Sequence, residues 1–158
     1  MSAPAVASGG AATYELDGVE AQRWGQISEE IGRQLLPALE QLDRSLASLT
    51  TVMVATADGL NLAALGLRDD RVERVSAMAG ALHSMSSATT AAIVGDPPGG
   101  TTTGLLTITH GDATTVVLAV GGLSLGPALL WVTARLDTLG AIIYHARHTV
   151  ASIEQLGL

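Results

Sequence analysis

The sequence contains no cysteine and no phenylalanine. Without a thiol, the chain cannot form a disulfide, a zinc–thiolate site or a cysteine nucleophile. Large aromatic rings are confined to Tyr14, Trp24, Trp131 and Tyr144, so Leu, Val, Ile and Ala must fill the core. At 158 residues, the chain is long enough for one domain with a substantial aliphatic core and a small appendage.

Lysine is also absent, and all eight basic residues are arginines. This excludes a Walker A lysine, a Schiff-base lysine and the lysine that pairs with ATP in kinases. The formal charge of −7 repels nucleic-acid phosphates, and the arginines are scattered along the sequence instead of forming a basic stripe. We therefore expect no nucleic-acid binding, no cofactor and no metal.

The N-terminal sequence MSAPAVASGGAATYELDG has neither a basic n-region nor an apolar h-region, and it does not resemble a signal peptide. Its first 16 residues are small, rich in Ala, Gly and Ser, and lack an apolar period, which is typical of disorder. We expect a flexible extension over residues 1–26, a domain over residues 27–158 and a cytoplasmic location.

The first half of the domain predicts helices around a hairpin. A helical pattern begins at Ile27, and Pro37 predicts that one helix ends near Leu36 and that a second begins. Asp58-Gly59 between two short apolar runs predicts a β-hairpin. The first of these runs, residues 51–57, is apolar on both faces, which indicates helices on both sides of the sheet.

The second half predicts a helix, three strands and a last helix. Asp70 and Glu73 have the spacing of a capping box for a helix that extends to about Ile93. A second hairpin turns at Gly111-Asp112, a third strand covers 128–133, and the last helix starts near Asp137. The element order αββαβββα, with hairpins dominant, predicts an antiparallel sheet and an α+β domain.

The run from Ala113 to Ala134 allows two other interpretations. It is uncharged and long enough to cross a bilayer, but its Gly, Pro and Thr content favours strands, so we expect no membrane insertion. Gly122-Leu-Ser-Leu-Gly126 matches the nucleophile elbow of hydrolases, which would make Ser124 a nucleophile. The residues after Pro127 favour a strand where the elbow requires a helix, so a serine hydrolase is a remote alternative.

His145 and His148 could share a metal, but a solvated helix edge explains them better.

An exposed strand edge and a helix rich in small side chains together suggest a candidate interface. The strand at 103–109 has no Pro or charge that would block pairing with another strand. The preceding helix is rich in small residues that allow a second backbone to come close. Together they predict a two-fold homodimer, unless a loop or the N-terminal segment covers the strand.

The runs 52–63 and 71–82, with the Asp58-Gly59-Leu60 hairpin and the Ala-rich second helix, resemble the roadblock/LC7 family. The resemblance spans about residues 35–155 and includes the later hairpin and the helix with the sequence LDTLGAIIYHAR. It implies a profilin-like five-stranded antiparallel sheet with one helix on one face and two on the other. It also implies dimerisation through the second helix and the third of the five strands, which is the strand at 103–109.

Bacterial members of this family regulate small Ras-like GTPases. The resemblance therefore implies a non-enzymatic homodimer that binds such a GTPase and modulates its GTP hydrolysis or nucleotide cycle. A scaffold or dimerisation module for another signalling protein is the alternative. The predicted partner and dimer interface consists of Arg71, Arg74, Ala77, Met78, Ala81, His83, Ser84, Met85, Ala88, Leu105, Thr107 and Thr109, with Arg71, Arg74 and His83 at its rim.

Overall fold

The computed structural model describes residues 5–6, 18–95 and 104–158. In these residues the helices are α1 (Gly18–Ser45), α2 (Asp69–Val94) and α3 (Leu139–Glu154). The strands are β1 (Ala5–Val6), β2 (Leu49–Thr56), β3 (Asn61–Leu65), β4 (Leu105–His110), β5 (Ala113–Val120) and β6 (Ala128–Arg135). The predicted order αββαβββα is confirmed for α1 to α3 and β2 to β6.

All strands form one antiparallel sheet in the order β1-β3-β2-β6-β5-β4. The five predicted strands are present, and the two-residue β1 adds to the free side of β3, which the sequence did not predict. The hairpin at Asp58-Gly59 is confirmed, since the Thr56 amide donates to the Leu60 carbonyl at 2.8 Å. In this strand order, β2 lies inside the sheet between β3 and β6, and β4 lies at the end of the sheet.

The helices cover the sheet unequally, as expected for this fold class. Helices α1 and α3 pack together on one face, where a continuous aliphatic core forms around β2, β5 and β6. Helix α2 lies on the other face over a smaller cluster that contains Met53, Ala55, Ala64, Val72 and Ala79. Strand β2 is buried on both faces, because Val52 and Val54 face α1 and α3 while Met53 and Ala55 face α2.

The predicted break at Pro37 is wrong, because α1 continues through Pro37 to Ser45. The helix also begins at Gly18 and not at Ile27. Proline removes one helical hydrogen bond, but Pro37 lies on the exposed side of the helix. Leu35 and Leu39, on either side of it, are completely buried against the sheet, and this burial outweighs the local cost. The predicted flexibility of residues 1–26 falls mostly outside the described residues and stays a prediction.

The predicted capping box of α2 is also wrong. Arg68 occupies the N-cap position, and no side chain caps the helix there. Asp70 instead pairs with Arg68, whose Nε lies 3.1 Å from its Oδ1. The acidic first turn still suits the positive end of the helix dipole. Helix α3 has the cap that α2 lacks, since Thr138 Oγ1 accepts a hydrogen bond from the Ala141 amide at 3.2 Å.

Candidate protein-interaction surface

The outward side of α2 carries an exposed stripe of small and apolar side chains. Its members are spaced alternately four and three residues apart, which places them on one side of a helix. We call this the outward stripe: Met78, Ala81, Met85, Ala88 and Ala92, all of which are exposed. Met78 and Met85 have exposed fractions of 53% and 62%. A helix normally turns charged and polar residues outward, so this stripe is an unusual surface to leave in water.

The inward side of α2 holds the helix very close to the β2–β3 hairpin. Val72, Ser76, Ala79 and Gly80 are buried there. A Cβ atom at Gly80 would lie 2.9 Å from the Gly59 amide nitrogen, and one at Gly59 would lie 2.9 Å from the Ala77 Cα. Gly59 also has a φ of 94°, a conformation that glycine adopts without strain. The two glycines therefore allow direct contact between the helix and the turn.

The sheet beside α2 presents a second part of the same surface. Helix α2 packs against β2 and β3, among the described elements. The cross-strand register continues this face through Trp131 on β6 and Val117 on β5 to Leu106 on β4. A neighbouring row runs through Thr115 to Ile108. Trp131, Leu106 and Ile108 are half-buried, so an apolar strip adjoins α2.

Hydrogen bonds between side chains stiffen this part of the sheet. Trp131 Nε1 donates to Thr133 Oγ1 at 3.1 Å, and the hydroxyls of Thr115 and Thr133 lie 2.8 Å apart. The indole ring is therefore fixed in orientation on the face beside α2. Burying a tryptophan whose N–H is already bonded carries no desolvation cost for that donor. The strip is thus suited to an apolar contact.

Strand β4 supplies the free end of the sheet in the described part of the chain. It pairs with β5 over its whole length, and its pattern of burial is mostly exposed. An uncharged strand edge of this kind presents unpaired backbone groups to another strand. No Pro or bulge interrupts residues 105–110. The predicted edge strand is therefore present at Leu105–His110, at the end of the sheet among the described residues. The alternative that a loop or the N-terminal segment covers it concerns residues outside the described ranges.

The structure divides the predicted interface residues between the two faces of the sheet. All six predicted residues in the middle of α2 are exposed, namely Ala77, Met78, Ala81, Ser84, Met85 and Ala88, and Arg71 and Arg74 are exposed near its start. His83, in contrast, is half-buried and continues the inward side, four residues after Ala79. Leu105, Thr107 and Thr109 pair with Leu118, Val116 and Thr114, so they point towards the α1 and α3 face and away from α2.

The residues of β4 that share the face of α2 are Leu106 and Ile108, which the sequence interpretation missed. The signal was present in the alternation of Leu106 and Ile108 with Thr107 and Thr109. In a strand, alternate side chains point to opposite faces, so a single shift exchanges the two sets. The pairing of β4 with β5 decides that Leu106 and Ile108 share the face of α2, and that Thr107 and Thr109 do not.

The segment 122–126 is a loop between β5 and β6, and it lacks the helix that a nucleophile elbow requires. The Ser124 amide donates to the Leu158 carbonyl at 2.5 Å, and the Gly121 amide donates to Glu154 Oε1 at 2.9 Å. These contacts tie the loop to the end of α3. The run from Ala113 to Ala134 that could have crossed a membrane forms β5, this loop and β6.

Three further findings concern the described residues only. Within residues 5–6, 18–95 and 104–158, no group of three or more His, Asp or Glu side chains could hold a metal ion. No helix in the same ranges is long and apolar enough to span a membrane. His145 packs edge-on against the ring of Tyr144, with ring centroids 5.1 Å apart.

Known structures resemble this arrangement, although no protein-family model and no curated protein matches the sequence. A roadblock/LC7 domain from Streptomyces avermitilis superposes with a TM-score of 0.61 at 20% identity, covering 74% of this chain and 92% of that one. MglB from Myxococcus xanthus gives a TM-score of 0.66 at 11% identity, covering 81% and 90% of the two chains. The gliding protein MglB from Thermus thermophilus gives 0.62 at 13% identity, covering 80% and 90%.

These similarities extend over nearly the whole of each known chain. They agree with the features described above, namely five antiparallel strands in one sheet, two helices on one face and α2 on the other. The chain therefore has the fold of the roadblock/LC7 domain.

Proposed function

We propose that this protein is a non-enzymatic homodimer that binds a small Ras-like GTPase and modulates its GTP hydrolysis or nucleotide cycle. The observation that carries the proposal is the exposed outward stripe of α2 together with the half-buried apolar strip of the sheet beside it. Both surfaces are apolar, belong to the same side of the sheet and are formed by regular elements. Such surfaces are typical of protein contacts.

The outward stripe suits contact with the same helix of a second copy. Alternating four- and three-residue spacing is the pattern with which two helices interlock side chains. Ala81, Ala88 and Ala92 allow the two helix axes to approach closely, and Met78 and Met85 adapt their shape to the partner. A two-fold axis across α2 would bury the stripe of each protomer against the other.

Strand β4 suits the same two-fold arrangement. Antiparallel pairing of β4 with the β4 of a second copy would satisfy its outer backbone groups and remove the sheet edge. Leu106 and Ile108 would then bring the apolar strips of the two protomers together on the side of α2. A homodimer thus accounts for both exposed features with one symmetry operation.

The GTPase role is supported by the resemblance to roadblock/LC7 proteins and by the likeness of the fold to MglB. Dimerisation would leave the exposed guanidinium groups of Arg71 and Arg74 near the rim of the α2 surface. Rim charges of this kind set the orientation and the association rate of a partner more than its affinity. Regulation by surface contact is in keeping with the absence of a nucleophile elbow around Ser124.

Two matched variants test the dimer. Ala81→Arg adds a charged side chain to the outward stripe, and Ala151→Arg makes the same change at an exposed alanine of α3, on the opposite face of the sheet. Light scattering after size exclusion should show a dimer for the unchanged protein and Ala151→Arg, and a monomer for Ala81→Arg. Circular dichroism checks that both variants remain folded. A dimeric Ala81→Arg protein would contradict the proposed contact.

The GTPase role requires a second measurement. A Ras-like GTPase encoded next to the gene should hydrolyse GTP, or exchange its nucleotide, at a different rate when this protein is added. Ala81→Arg should abolish the change, and Ala151→Arg should preserve it. Unchanged rates with no co-elution of the two proteins would refute GTPase regulation. A dimer that leaves both rates unchanged would favour the alternative of a scaffold for another signalling protein.

A further inference from the structure

A groove between α3 and β4 forms a second open surface, on the opposite face of the sheet from α2. Helix α3 packs against β5 and β6, and β4 lies beyond β5 at the end of the sheet. The side chains of Leu105, Thr107 and Thr109 point to this face and are exposed. The groove has a volume of about 270 Å³ and is lined by Gly104, Leu105, Leu118, Ala119, Arg147 and Val150.

Most residues that line the groove are apolar. Leu105 of β4, Leu118 of β5 and Val150 of α3 contribute its large apolar side chains. Leu105 is 43% exposed, which is a large apolar side chain to leave in water. A Cβ atom at Gly104 would meet no atom of the described residues within 4 Å. The size of the groove lies just below the roughly 300–1,000 Å³ of pockets that enclose small molecules, and it suits one or two side chains of a protein segment.

Arg147 is the single charged residue of the lining. It is exposed, and it forms no ion pair with a carboxylate of residues 18–95 or 104–158. Glu154, seven residues further along α3, is occupied by the Gly121 amide. The guanidinium of Arg147 therefore lies beside the apolar residues of the groove without a carboxylate partner from these ranges. Its planar donors match the two oxygens of a carboxylate.

We propose that this groove binds a short segment of a partner protein in which an apolar side chain is followed by a carboxylate. The apolar side chain enters between Leu105, Leu118 and Val150, and the carboxylate pairs with Arg147. The groove lies on the face of the sheet, whereas the backbone edge of β4 lies in its plane. The segment can therefore bind while β4 is paired with a second copy, and the proposal does not depend on the GTPase role.

Two blocked peptides provide the probe: acetyl-Ala-Leu-Glu-Ala-amide and acetyl-Ala-Leu-Gln-Ala-amide, which differ only in the carboxylate. Each is titrated into the full chain while the methyl resonances are followed by NMR. The methyl groups of Leu105, Leu118 and Val150 should shift and saturate with both peptides. The Glu peptide should bind about two- to fivefold more tightly, the range expected for an exposed ion pair.

Variants of two arginines test whether Arg147 causes the preference for the Glu peptide over the Gln peptide. Arg147→Gln should bind both peptides equally, and Arg147→Lys should retain part of the preference. Arg135→Gln is the matched control, because Arg135 is exposed and pairs with Asp112 at 3.6 Å, outside the groove lining. It should leave the preference unchanged.

Several results would overturn the proposal. These are an absence of saturable shifts at the groove methyls, shifts centred on α2 and Leu106, or equal binding of the two peptides by the unchanged protein. A dimer that dissociates on Arg147→Gln substitution would assign the groove to self-association, which would also overturn it.

Discussion

The two faces of the sheet are built in opposite ways. On one face, α1 and α3 bury long aliphatic side chains in a continuous core that includes Leu35, Leu39, Leu42, Ile142 and Ile153. On the other face, α2 makes contact through Gly80, Ala79 and Ser76, and it keeps two methionines in water. The first face stabilises the domain through buried area. The second face is shaped for close approach, and it leaves apolar area for a partner.

The largest expected difference between the faces concerns core side chains. Leu35→Ala creates a cavity in the α1 and α3 core and should lower the free energy of unfolding by about 2–5 kcal/mol. Met85→Ala removes an exposed side chain from α2, so the unfolding free energy of the monomer should change by less than about 0.5 kcal/mol. Chemical denaturation at low protein concentration measures both. A large loss for Met85→Ala in the monomer would show that α2 is buried within the protomer.

A smaller effect is expected at the glycines. Gly80→Ala places a Cβ atom 2.9 Å from the Gly59 nitrogen, so it should destabilise the protein by about 1–3 kcal/mol despite the better helix propensity of alanine. Gly140→Ala in α3 meets nothing within 4 Å and should stabilise it by up to about 1 kcal/mol. Thermal unfolding of the two variants reports opposite signs. If both variants were stabilised, the close contact between α2 and the hairpin would be disproved.

The smallest expected difference concerns the helix starts on the two faces. Thr138→Ala removes the cap of α3 and should cost about 1 kcal/mol. Asp70→Ala removes an exposed ion pair from the start of α2 and should cost a few tenths of a kcal/mol, about the value of a surface pair plus a weak helix-dipole term. Urea denaturation separates these values. Equal losses would indicate that Asp70 caps α2 after all.

Local sequence signals predicted the elements well, because turns and strand composition act over a few residues. Asp58-Gly59 and Gly111-Asp112 both form the predicted hairpin turns, and Gly59 and Gly111 have positive φ angles. The coverage of residues 51–57 by helices on both faces was also predictable, since no polar alternation interrupts that run. The fold class therefore followed from patterning alone.

Features that depend on distant contacts were not predictable in the same way. Pro37 stays inside α1 because burial of leucines on either side of it outweighs the lost hydrogen bond. Helix α2 starts at Asp69 with Arg68 at the N-cap and no capping side chain, although Asp70 and Glu73 have the spacing of a capping box. The facing of Leu106 and Leu105 follows from their register with β5, which a single sequence does not specify. The position of His83 depended likewise on which side of α2 meets the sheet.

The absence of cysteine allows a direct measurement of the central claim that the outward stripe joins two copies. Single cysteines are introduced at Met78, Ala81, Met85, Ala88 and Ala92, with Ala151→Cys as the control, and each protein is oxidised at low concentration. A disulfide requires Cα atoms about 4.4–6.8 Å apart, so only positions near the two-fold axis can react. We expect at least one stripe position to give a covalent dimer rapidly, while Ala151→Cys remains monomeric on denaturing gels. Equal and slow reaction at every position, including Ala151, would contradict a contact through α2.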